Sequence, residues 1–172
     1  MTTRELAKMA LYTALFLALD YISGNFLPRM PQGGSLGLST IVLIIASFDL
    51  GIQKAGLLTI VCLLLSFMTD PPYFLNFIQY ILDYGIGYLA YAFAVLFANR
   101  NGNERSFQYF VLPILIPNAI RFFSSSLAGV LYYEVNWTAS MIYQSGYIVP
   151  TIIVSFIILP VLLIRIKPYL KR

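Results

Sequence analysis

Histidine is absent from the chain, and cysteine occurs once, as Cys62 inside an apolar run. One thiol cannot close an internal disulfide, and without histidine the usual Cys/His metal sites are excluded, so neither metal nor cofactor is expected. Cys62 reads as a packing or lipid-facing residue. The missing imidazole also removes the usual base for a serine nucleophile. Ser124–Ser126 and Ser145 have no such base, and Gln144-Ser145-Gly146 is not a nucleophile elbow. A Walker A pattern is lacking too, which excludes ATP hydrolysis by the P-loop route. Charge is equally scarce: Asp, Glu, Lys and Arg make up 10% of the residues, against 59% hydrophobic ones.

That balance belongs to integral membrane proteins, whose apolar runs satisfy their backbone groups internally as helices. The runs are continuous, not alternating, so helices are expected and a β-barrel is not. Six stretches stand out, over 8–27, 37–53, 55–69, 74–98, 107–132 and 139–164. The expected fold class is an all-α integral membrane protein of six transmembrane helices, one domain over residues 1–172. A span needs about 20 residues, so the second and third, divided at Asp49–Lys54, are short. The first run follows Arg4 and Lys8 but lacks a small-residue cleavage pattern, and is read as retained.

The net charge of +4 is accounted for by topology, with no nucleic-acid partner needed. Six spans put both termini on one side, together with Arg4, Lys8, Lys54, Arg100, Arg105, Arg165, Lys167, Lys171 and Arg172. The other side keeps Arg29, Asp70 and Glu134. By the positive-inside rule both termini are cytoplasmic. The polar turn 99–106 then lies inside and the Gly/Pro-rich loop 28–37 outside.

Ionisable groups within spans are costly and usually face a bundle interior or cavity. Asp20, Asp83 and Arg121 qualify. At about 1.5 Å per residue, Asp83 lies ~14 Å and Arg121 ~16 Å from the outer ends of their helices. Two readings follow. One is a structural ion pair, Asp83 or Asp20 with Arg121. The other is a polar ligand site opening outward, favoured because a buried pair adds little over an apolar replacement. The tyrosines support the second. Tyr73, Tyr80, Tyr84, Tyr88 and Tyr91 populate the fourth span, and Tyr132, Tyr133, Tyr143 and Tyr147 flank the last two. Tyr84 is too deep to be an interfacial residue, and an aromatic face beside a carboxylate suits a flat, hydrogen-bonding, cationic heterocycle. An aspartate-dyad enzyme would need Asp20 and Asp83 in contact; the chain is read as not an enzyme.

Two further features concern helix packing. Pro113 and Pro117 predict a kink just before Arg121. Ala10, Ala14 and Ala18, spaced by four, form a small-residue ridge that either packs internally or receives another membrane subunit.

With its alanine stripe, PQGGSLGLS at 31–39, FLNFIQYILDY at 74–84 and NAIRFFSSSLAGVLYY at 118–133, the chain resembles the S components of energy-coupling factor (ECF) vitamin transporters, thiamine-specific branch. The resemblance covers nearly the whole chain. It implies a high-affinity thiamine-capture subunit in a prokaryotic cell (plasma) membrane, surrounded by lipid. Its implied partners are a transmembrane coupling protein, facing Ala10, Ala14 and Ala18, and two cytosolic ATPases. The outward loop between the first two helices would close over the vitamin. By resemblance Asp83 is the pyrimidine-binding acid, Tyr84 the tyrosine that follows it, Tyr73 an upstream aromatic, Arg121 a basic residue near the ligand and Tyr143 a tyrosine of the sixth helix. Tyr147 joins these as a candidate. The chain departs from the family at Ser125 (a histidine), Ile148 (an asparagine), Tyr133 (a tryptophan or other aromatic) and Asn76-Phe77 (His-Pro). A thiamine precursor or another flat vitamin is the alternative ligand.

Overall fold

A computed structural model describes residues 1–69, 71, 73, 75–98 and 108–170. The charges at Asp70, Arg100, Arg105, Lys171 and Arg172, the turn 99–106 and Phe74 lie outside the described residues. All six expected stretches are helical. They are α1 (Thr3–Phe26), α2 (Leu38–Leu50), α3 (Ile52–Thr69), α4 (77–97), α5 (Gln108–Tyr132) and α6 (Trp137–Leu170).

The helix ends follow local chemistry. Thr2 and Glu5 form a reciprocal capping box at the start of α1, satisfying two backbone donors that the first turn leaves free. At the other end Leu27 is extended, as a residue before proline must be. A single residue, Gly51, separates α2 from α3. Its φ of +77° with ψ of 168° is a conformation open essentially to glycine. Asn76 and Asn136 cap α4 and α6 by accepting from Gln79 N and Ala139 N, each at 2.8 Å.

Among the described residues four helices are long and apolar enough to cross a membrane: α1, α3, α5 and α6. The other two differ in kind. At 13 residues, α2 is about 20 Å long, short of the ~30 Å hydrocarbon thickness. Its residues from Ser39 to Ser47 are all buried, and it touches α1, α3, α4 and α6. It is the central post of the bundle, apolar on every side because every side meets protein. The other exception, α4, changes geometry three times: α-helical over Phe77–Tyr80, π-helical over Ile81–Ile86, α-helical over Gly87–Ala92 and 3₁₀ over Ala94–Phe97.

The irregular helix is therefore α4, where no proline signals it. The α5 helix runs for 25 residues through Pro113 and Pro117. Just past Pro117, Asn118 ties the region together: it accepts from the Tyr91 hydroxyl at 2.8 Å and donates to Ile114 O at 2.8 Å.

Packing relies on small residues and on polar contacts that hydrocarbon cannot offer. A Cβ at Gly129 would stand 2.2 Å from Ser140 Oγ, so glycine is what permits the close crossing of α5 and α6. Ser140 then donates to Ser126 O at 2.8 Å. At the end where α1 begins, Lys8 bridges Asp49 at 2.7 Å, Tyr12 donates to Asp49 at 3.1 Å, and Lys54 bridges Glu5 at 2.5 Å. These contacts tie α1 to α2 and α3. Cys62 is fully buried in the core beside Leu58 and Leu63, a packing residue and not a lipid-facing one. Ala10, Ala14 and Ala18 are all exposed; the ridge is not used within the chain.

Candidate functional site

At the end away from Lys8 and Asp49, the helices enclose a cavity of about 330 Å³, within the size range of small-molecule sites. Phe16 and Asp20 of α1, Leu63 and Ser66 of α3, the π turn of α4, and α5 and α6 line it. The loop 28–37 forms the remaining wall with Arg29 and Gln32–Ser35. Of the sequence-derived site residues, Asp83, Tyr84, Arg121, Ser125, Tyr133, Tyr143 and Tyr147 all line this one space. Tyr73 does not. Its ring stands behind Tyr133, with centroids 5.8 Å apart.

Asp83 lies in the π-helical turn. Its Oδ2 accepts from Gln79 Nε2 at 3.2 Å. Gln79 is fully buried, takes Leu75 N at 3.2 Å on its carbonyl, and offers the same Nε2 to the Tyr133 hydroxyl at 3.4 Å. The backbone contact fixes the amide, so its N–H side faces Asp83. Gln79 thus orients the acid, a role the sequence pattern signalled only by its place four residues earlier on the same helix.

Arg121 is 6% exposed. Its guanidinium lies 4.6 Å from the Tyr88 ring centroid and 5.6 Å from that of Tyr147, in cation–π range. Nη2 donates to the Tyr88 hydroxyl at 3.4 Å, while the buried Nη1 has no hydrogen-bond partner among the described residues. Its stem packs on Gly87, where a Cβ would stand 3.0 Å from Arg121 Cγ. Among the described residues Asp83 and Arg121 share the cavity without forming an ion pair: one is held by Gln79, the other by Tyr88. Among the described residues no ion pair joins Asp20 to Arg121 either, the other pairing the sequence left open. Asp20 accepts from Ser39 Oγ at 2.9 Å and lines the cavity as a second carboxylate.

The tyrosines of α4 form a ladder. Tyr80 and Tyr84 stack at 5.3 Å, and Tyr84 and Tyr88 at 6.4 Å, each pair tilted by 21°. Spacing by four keeps them on one face, and that face presents Tyr84 and Tyr88 to the cavity.

The resemblance put an asparagine at position 148, where this chain has isoleucine. Ile148 is buried in the protein and is not part of the lining. Gln144 lines the cavity instead, donating to Ser125 O at 3.2 Å and accepting from the Tyr147 hydroxyl. Residue counting from Tyr143 missed it.

The loop 28–37 is built as a tight turn. Gly33 N donates to Met30 O at 2.9 Å and Met30 N to Gly34 O at 2.7 Å, inside a bridge between Arg29 and Ser35. Gly33, at φ +96°, supplies the left-handed position. Gly34 lies flat on Tyr147: a Cβ there would stand 2.6 Å from two ring carbons. Gln32 N donates to the Tyr143 hydroxyl at 3.1 Å.

Known proteins resemble the chain in sequence and in fold. The chain is similar to the thiamine transporter ThiT of Bacillus subtilis (strain 168), with 27% identity over 182 aligned positions, 97% of this chain and 94% of that protein. Its fold matches the solved ThiT of Listeria monocytogenes with a TM-score of 0.74 and 22% identity, over 95% of this chain and 97% of the other. The sequence also fits, over residues 6–171, the family described as Thiamine transporter protein (Thia_YuaJ). With an all-helical ThiT-like fold, helices able to cross a membrane several times and a match along nearly its full length, the chain belongs to the thiamine transporter protein family.

Proposed function

We propose that the chain is the membrane-embedded capture subunit for thiamine and that the vitamin sits in the cavity between Asp83 and Arg121. The observation that carries this reading is the unjoined pair. A carboxylate and a guanidinium share one buried space, and Arg121 Nη1 is left without a partner among the described residues. An unpaired buried donor is costly, and a ligand acceptor would satisfy it. An aminopyrimidine has an amine for Asp83 and ring nitrogens for Arg121. The thiazolium cation gains from the tyrosine faces and from the two carboxylates.

Around that core the other contacts take roles. Tyr84 and Tyr133 flank the rings, Ser125 and Tyr143 border them, and Tyr147 supports the lid. The loop 28–37 closes the site from outside through Gly34 and Gln32. Tyr73 supports Tyr133 from behind. Both termini face the cytoplasm of a prokaryotic cell and the cavity opens outward. The exposed ridge of Ala10, Ala14 and Ala18 receives the ECF coupling protein, which two cytosolic ATPases energise.

Fluorescence titration of the purified protein with thiamine, with a precursor and with other flat vitamins tests the reading. Saturable quenching by thiamine, abolished in Asp83→Ala, is expected. A folded wild-type protein that ignores thiamine would overturn it. Bulky residues at Ala10 and Ala14 should stop uptake while leaving that titration unchanged; loss of binding would count against a docking role.

A further inference from the structure

The π turn that carries Asp83 is held from outside its own helix. A six-residue π segment is a rare geometry, poorer than the α-helix it interrupts, and it persists only where something stabilises it. In a helical bundle, backbone carbonyls that face a neighbouring helix can take further donors from it. Here the donors come from α5. The Ser124 hydroxyl donates to Leu82 O, and the Ser125 hydroxyl donates to Asp83 O at 3.3 Å. Two consecutive carbonyls of the π turn are met by two consecutive serines of the neighbouring helix.

Ser124 is buried but is not part of the cavity lining, so it reaches a ligand only through the backbone of α4. If the segment relaxed to α geometry, residues on its two sides would shift by about one position, some 100° around the axis. Asp83 would then turn relative to Tyr88 and Arg121. We propose that Ser124, acting with Ser125, is a positioning residue that keeps the 81–86 turn in π form and so aims Asp83 at the amine of the ligand's pyrimidine. On this view the serine pair is a determinant of specificity. The inference rests on the thiamine reading above, and adds to it the device that gives the acid its direction.

The test compares affinity for thiamine with affinity for the analogue whose ring amine is replaced by oxygen. In the wild type, Asp83 favours the amine. Ser124→Ala should weaken thiamine binding about tenfold, as expected for one lost positioning hydrogen bond, while the oxygen analogue changes less than about twofold. The preference therefore shrinks. Ser126→Ala, another buried serine of α5 whose hydroxyl has no partner, should leave the preference unchanged. Equal weakening of both ligands by Ser124→Ala, or no effect on either, would overturn the inference. If Asp83→Ala itself leaves the preference intact, the failure lies with the assignment of Asp83 to the amine. Should Ser124→Ala not fold, Ser124→Cys keeps the volume with a much weaker donor and serves the same comparison.

Discussion

The two ends of the bundle handle charge in opposite ways. Where α1 begins, Asp49 has a side chain 1% exposed and takes both Lys8 and Tyr12. Acid and base are adjacent, and the contacts tie α1 to α2. At the cavity end, Asp83 and Arg121 share one space and do not meet. Gln79 orients the acid, Tyr88 and Tyr147 cradle the base, and Arg121 Nη1 has no hydrogen-bond partner among the described residues. A buried pair that is joined holds structure. A buried pair kept apart by amides and phenols leaves its valences for a third molecule.

The contrast can be broken from the cavity side first. Arg121→Met removes the free donor and its charge, and should weaken thiamine binding on the order of 30-fold or more, the worth of a hydrogen bond to a charged group. Calorimetry or fluorescence titration measures this, and an unchanged affinity would make Arg121 a packing residue only. Next comes the lid. Gly34→Val places side-chain atoms where the Tyr147 ring stands, so the loop cannot lie down. Bound thiamine should then dissociate about tenfold faster, read by stopped-flow fluorescence, with association changed less. The smallest effect on binding is expected at the closed end. Lys8→Met leaves Asp49 buried with Tyr12 alone, costing about 3 kcal/mol of stability and lowering the melting temperature. Affinity for thiamine should stay within about twofold; a large loss would mean the two ends are coupled.

Parts of this arrangement were legible before any coordinates. The six apolar runs gave six helices because a continuous apolar run has few other ways to satisfy its backbone in hydrocarbon. Asp83 and Arg121 stood out because charged groups in apolar runs are costly and so conspicuous, and Tyr84 because it adjoins Asp83. Tyr147 was noted only as a tyrosine near the last span, and Ser125, Tyr133 and Tyr143 were pointed to by the family resemblance. Other residues were invisible for the complementary reason. Gln79 and Gln144 are neutral amides with little compositional signal, and their roles depend on which neighbour each faces. The π turn was also missed, since no proline marks it, Gly85 and Gly87 alone do not specify a π geometry, and its donors lie more than 40 residues away at Ser124 and Ser125. Prolines drew attention to α5, which stays helical through them.

By itself, then, the sequence determined that the chain is helical, with several helices long and apolar enough to cross a membrane and a handful of polar groups in its apolar runs. Composition and periodicity act locally, and helix formation in an apolar medium is a local matter. The tertiary structure decided what those groups do. It separated Asp83 from Arg121, set α2 at the centre, and laid Gly34 on Tyr147. Each of these is a contact between distant segments, fixed by close packing that no single segment specifies.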